Sequence, residues 1–84
     1  MGTLRIRGIS FRFYPDDHYP RHVHARYAET EAIVELREDG TAKLAERTYK
    51  VLPLNAKRND TVKILSVAQD HFDVLVLASE EMHP

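Results

Sequence analysis

The stretch His22-Val23-His24-Ala25-Arg26-Tyr27 decides the fold of this chain, because apolar and polar side chains alternate along it. Alternation with a period of two is typical of a β-strand that buries one face and leaves the other open. The apolar residues of the stretch therefore predict a face directed to the core. Its two histidines and Arg26 predict an opposite, polar face.

The segments that flank this strand also read as extended structure. Residues 4–14 alternate clearly after Gly8, where we expect a bulge or a bend. The Pro- and Asp-containing residues 15–20 predict a loop, so the two strands should pair as a hairpin. The residues expected to face inward are Ile9, Phe11 and Phe13, and those expected to face outward are Ser10, Arg12 and Tyr14.

A third strand is expected at residues 31–37, with Ala32, Val34 and Leu36 directed inward. Asp39-Gly40 is a strong hairpin signal, and residues 41–45 should form a further extended piece. Residues 46–54 fit no single period, and Pro53 would end any helix there.

The C-terminal part predicts one long helix. Asp60 is the expected N-cap, and the apolar positions after Val62 follow steps of three and four residues. These positions are Leu65, Ala68, Phe72, Leu75 and Met82, widened by Ile64, Val67, Val74 and Ala78. A strand at residues 74–77 is the alternative, because β-branched residues favour strands. The expected fold is a single α+β domain over residues 1–84, in which one long helix packs on a small antiparallel sheet of three to four strands.

Composition excludes several function classes. The chain has 84 residues and no cysteine, so disulfides, zinc fingers and thiol catalysis are excluded. Neither a signal peptide nor a membrane helix is recognisable, which predicts a cytoplasmic protein. The net charge of −1 argues against non-specific coating of nucleic acid, although arginines concentrate in the first third and acids follow Asp70. We expect an arginine-rich sheet face and an acidic helix end.

The polar face of the predicted hairpin is the candidate site. Imidazoles can act as general base and general acid, and guanidinium groups can stabilise charge that develops on a phosphate. A metal-independent ribonuclease needs little more than these groups. The expected catalytic residues are Asp17, His18, His22, His24 and Arg26, and the expected substrate-binding residues are Arg12, Tyr14 and Arg21.

Three other interpretations of this face stay open. His18, His22 and His24 could bind zinc or manganese, but their spacing is not specific, so no metal is assigned. The face could also be a solvated strand surface beside a turn that Asp17 caps. Finally, an open sheet face or edge strand could bind a protein partner without catalysis. The broad helix stripe makes a homodimer plausible as well.

Residues 17–27 resemble the motif of a bacterial family called domain of unknown function 4160, whose members show an Asp-His-x-Pro-Pro-His-Phe-His pattern. Arg21 and Val23 depart from that pattern. The resemblance implies a small toxin that a cognate antitoxin protein neutralises, and by analogy with other toxins it implies RNA cleavage or another block on translation. The positions that match the motif are Asp17, His18, His22 and His24.

Overall fold

The computed structural model describes residues 2–13, 21–46 and 50–81. These residues form an α+β fold with an antiparallel sheet and two helices. The elements are β1 (Gly2–Ile6), β2 (Ile9–Phe13), β3 (Arg21–Tyr27), β4 (Thr30–Leu36), β5 (Ala42–Leu44), β6 (Val51–Leu52), α1 (Arg58–Asp70) and α2 (Phe72–Glu81).

The strands follow one another in space as they do along the chain. The sheet order is β1-β2-β3-β4-β5, with every neighbouring pair antiparallel, and β6 also pairs with β4. Ile33 joins the two short strands to β4: its N–H donates to the Lys50 carbonyl oxygen at 2.8 Å, and its carbonyl oxygen accepts from the Ala45 N–H at 2.9 Å.

The first predicted strand is two strands, so the predicted count of three to four strands is too low. Arg7 and Gly8 form a two-residue turn with φ values of 51° and 80°, and Ile6 lies opposite Ile9. Positive φ at both central residues is the geometry of a type I′ hairpin turn, which matches the twist of the flanking strands. The apolar pattern does not reveal this turn because it continues on both sides of it.

The core lies between one face of the sheet and the two helices. Alternation predicted the inward residues of β2, β3 and β4 correctly, because successive side chains of a strand point to opposite faces; on β4 the outward Glu35 is buried as well. The largest fully buried side chains are Phe11, Ile9, Ile64, Leu75, Val23 and Val34.

The predicted single helix is interrupted at His71, whose φ of −114° and ψ of 27° depart from helical values. Residues 74–77 lie within α2, so the strand alternative is wrong. Val74, predicted to widen the buried stripe, is 47% exposed. Met82 lies outside the described residues.

The predicted N-cap is also wrong. The N-cap residue is Lys57, and Asp60 lies inside the first turn of α1. Its carboxylate accepts a hydrogen bond of 3.0 Å from the Thr30 hydroxyl, which ties the helix start to β4. A tertiary contact thus occupies the carboxylate that the sequence suggested as a local cap.

Within the described ranges, neither helix has the length and apolar character needed to cross a membrane.

Candidate functional site

The face of the sheet that points away from the helices, called here the outer sheet face, is built by strand register. Arg12 of β2 pairs with Thr3 on one side and His24 on the other. In the next row, Ser10 pairs with Arg5 and Arg26, and Arg26 pairs in turn with Glu31. Since side chains at paired positions share a face, three strands bring three arginines and one histidine together.

Arg12, Arg26 and His24 border a depression of about 220 Å³, and Arg5 lies outside its lining. Its lining residues are Thr3, Ser10, Arg12, His24, Ala25, Arg26 and Glu31. Arg12, His24 and Arg26 are all exposed. The depression therefore offers cationic groups and a hydroxyl to a ligand that approaches from solvent, with one carboxylate among the described residues that line it.

That carboxylate belongs to Glu31, which contacts Arg26. The Arg26 Nη1 donates to the Glu31 Oε1 at 3.3 Å, and the two side chains are 63% and 55% exposed. Ion pairs with this exposure contribute little free energy, because water screens them. An anionic ligand could therefore displace Glu31 from the Arg26 guanidinium at small cost.

His22 lies in a different environment from His24, although the two were predicted to act on one open face. The His22 side chain is only 13% exposed, and its Nε2 lies 3.7 Å from the Oε2 of Glu35. Glu35 is opposite His22 on β4, and its carboxylate also accepts from the Arg37 Nε at 3.2 Å and the Glu46 N–H at 3.3 Å. His22 thus belongs to a covered polar cluster with Glu35, whereas His24 faces solvent.

Arg21 lies apart from the outer sheet face. Alternation along β3 places it on the side of the helices, and its guanidinium donates to the Ser79 Oγ of α2 at 3.2 Å. The structure therefore separates Arg21 from Arg12, with which it was predicted to bind substrate. The hydrogen bond instead ties the start of β3 to the C-terminal helix.

The remaining predicted site residues, Tyr14, Asp17 and His18, lie outside the described residues. Among the residues that are described, no group of three His, Asp or Glu side chains could hold a metal ion. The predicted metal ligands are His18, His22 and His24. His18 lies outside the described residues, so only two of the three ligands are described.

Two members of these clusters, Arg5 and Glu35, are not among the residues that the sequence predicted. The apolar pattern predicts one strand over residues 4–14, whereas the turn at Arg7 folds β1 back beside β2 and brings Arg5 to this face. Glu35 could have been found by alternation on β4, since it is flanked by the inward residues Val34 and Leu36. Its pairing with His22 required the register of β3 against β4.

Comparison with known proteins identifies the family. The family model described as "Domain of unknown function (DUF4160)" matches residues 8–78, so the chain belongs to this family. No curated protein matches the sequence, and no solved structure matches it either.

Proposed function

We propose that this member of the family binds the phosphodiester backbone of RNA on its outer sheet face and inhibits growth as the toxin of a toxin–antitoxin pair. The observation that carries the RNA proposal is the cluster of Arg5, Arg12, Arg26 and His24 that strand register assembles on one open surface. The toxin part rests on the resemblance to the family, which implies a cognate antitoxin protein as a partner.

The shape of the outer sheet face favours an extended single strand over a duplex. The depression has about 220 Å³ of space and runs across four neighbouring strands, β1 to β4. Reading a DNA major groove needs a helix or a β-ribbon that enters the groove, whereas single strands lie along positively charged grooves. A strand of RNA can place successive phosphates beside the arginines.

The chemistry proposed for this face centres on His24. It is exposed, lies opposite Arg12 and lines the depression. A neutral imidazole there can take the proton of a ribose 2′-hydroxyl, whose oxygen then attacks the adjacent phosphorus and forms a 2′,3′-cyclic phosphate. The bond from phosphorus to the 5′-oxygen breaks, and that oxygen leaves with a proton from water, while the arginines stabilise the negative charge that grows on the phosphate. His22 serves instead as a structural partner of Glu35, because its side chain is mostly covered.

Salt dependence gives the first test of RNA binding. Three phosphate contacts to a single strand predict a slope of about −2 for log K against log salt, or roughly twentyfold weaker binding between 50 and 200 mM salt. A double Arg5→Gln/Arg12→Gln variant should reduce the slope to about −0.7. Fluorescence anisotropy with a labelled single-stranded RNA measures both quantities.

The matched control is Lys57→Gln/Arg58→Gln, which removes two positive charges from the exposed start of α1. It should leave both affinity and slope close to the wild type. Equal losses in the two double variants would show that binding follows net charge rather than the outer sheet face, and the RNA proposal would fail.

Growth inhibition separates binding from chemistry. Induced wild type should arrest growth and shorten a labelled RNA, and His24→Ala should lose both effects while binding RNA within a few-fold of wild type. Circular dichroism checks that the variant is folded. If His24→Ala loses growth inhibition but the wild type cleaves no RNA, the role of His24 is reduced to target binding. A wild type that neither arrests growth nor binds RNA refutes the proposal.

A further inference from the structure

Helix α2 has two different faces. Its inner face packs on the core through the buried Leu75 and Ser79, with Phe72 and Val76 partly buried beside them. The residues that remain exposed are Asp73, Val74, Leu77, Glu80 and Glu81, and they are called here the α2 outer face. At 100° per residue these five positions fall within an arc of about 120°, so they form one continuous surface.

Two of the five side chains of the α2 outer face are apolar, and one of them, Leu77, lies at its centre. Leu77 is 60% exposed and Val74 is 47% exposed, although both sit on a regular helix of a small domain. Positions three residues apart are neighbours on a helix surface, so the two side chains form one patch. Such a patch rimmed by polar residues is typical of an interaction site.

The charged side chains that α2 itself contributes to this surface are all acidic, whereas Arg21 and Arg37 line a depression on the other side of Glu80. Around the helix, Asp73 and Glu80 lie on one side of Leu77, and Glu81 lies between Leu77 and Val74. Residues 72–81 contain no Lys or Arg. A second copy bound symmetrically through this face would bring these carboxylates against their own counterparts, which costs free energy. Anionic lipid headgroups would be repelled for the same reason. The charge therefore selects a partner that carries cations around its own apolar residues.

We propose that the α2 outer face binds an amphipathic helix of a partner protein, in which a stripe of apolar side chains is flanked by Lys or Arg. The apolar stripe would pack over Val74 and Leu77, and the flanking cations would contact Glu80, Glu81 and Asp73. This is the recognition mode in which one amphipathic helix lays its apolar face on a complementary surface. The inference does not depend on RNA binding, because the α2 outer face and the outer sheet face belong to opposite sides of the sheet.

The test uses a designed probe and the full chain. The probe is a labelled helical peptide of about 18 residues, long enough to hold helical structure, with Leu at helical spacing and Lys on both flanks. A second peptide has Glu in place of every Lys. We expect saturable binding of the Lys peptide and at least tenfold weaker binding of the Glu peptide, measured by fluorescence anisotropy.

Two matched substitutions assign the binding to the α2 outer face. Leu77→Ser should weaken binding of the Lys peptide at least tenfold, since a large apolar side chain at the centre of an interface dominates its affinity. Val62→Ser is the control, because Val62 is 54% exposed on α1, outside the α2 outer face. It should leave binding unchanged.

A charge swap provides an independent readout. Glu80→Lys/Glu81→Lys should lose affinity for the Lys peptide and gain affinity for the Glu peptide, a change that simple unfolding cannot produce. The proposal is overturned if neither peptide saturates, if both bind equally, or if Leu77→Ser binds like the wild type. Sedimentation that shows a dimer dissociated by Leu77→Ser would also overturn it, because the face would then serve self-association.

Discussion

Two leucines of α2 that are two positions apart should respond in opposite ways to truncation. Leu75 is fully buried, whereas Leu77 is 60% exposed. Because two residues correspond to about 200° of rotation around a helix, the pair reports which side of α2 packs on the sheet. Leu75→Ala and Leu77→Ala remove the same atoms from the two sides.

The magnitudes follow from burial. Leu75→Ala removes three buried carbon groups, worth about 2.4 kcal/mol of transfer free energy at about 0.8 kcal/mol each. The cavity left behind raises the expected loss to about 3 kcal/mol or more. A domain of this size has a total stability of roughly 4–13 kcal/mol. At about 4–8 °C per kcal/mol, a loss of about 3 kcal/mol should lower the melting temperature by about 12–24 °C. Leu77 has only about two fifths of its side chain covered, and its truncation should cost at most about 1 kcal/mol.

Urea denaturation followed by circular dichroism measures both variants against wild type. We expect a large shift of the midpoint for Leu75→Ala, a small one for Leu77→Ala, and an unchanged denaturant slope for both. Equal losses would contradict the packing of α2 described here. A loss of 2 kcal/mol or more for Leu77→Ala that depends on protein concentration would show that the α2 outer face is covered by a second copy in solution.

Three further predictions concern polar contacts. Asp60→Ala should lower the free energy of unfolding, measured by urea denaturation, by about 1–2 kcal/mol, because the Thr30 hydroxyl loses its acceptor at the start of α1. Adding Thr30→Val to this variant should lower it little further. Glu35→Gln should cost about 1–3 kcal/mol in the same assay, since it removes the charge from a buried carboxylate with several polar contacts; a cost near zero would contradict that cluster. The hydrogen bonds from the hydroxyl and backbone N–H of Thr41 hold the pKa of Asp39 below its ordinary value, so the stabilisation they give is complete above the unfolded pKa and is lost as the pH falls through the folded pKa. An NMR titration of the Asp39 carboxyl group in wild type and Thr41→Val should show the pKa rise toward its ordinary value in the variant.

The sequence by itself determined which side of each strand is buried. The alternation in residues 9–13, 21–27 and 30–36 depends only on the local geometry of an extended chain, in which successive side chains point to opposite faces. The α+β class and the family membership were predictable for related reasons, because both rest on patterns along the chain. The pairing of Arg12 and His24 on one face also followed from alternation, once a hairpin between their strands was assumed.

Tertiary structure decided which residues of different strands share a face of the sheet and whether each of them is exposed or covered. Arg5 joins the outer sheet face only because positive φ at Arg7 and Gly8 folds β1 back, a choice that apolar periodicity does not encode. His22 and His24 look equivalent along β3, yet the register of β4 places a buried carboxylate beside His22 alone. Periodicity fixes directions within one element, whereas burial and charge at a site depend on contacts between elements distant in sequence, and these are settled only when the whole sheet and its helices pack.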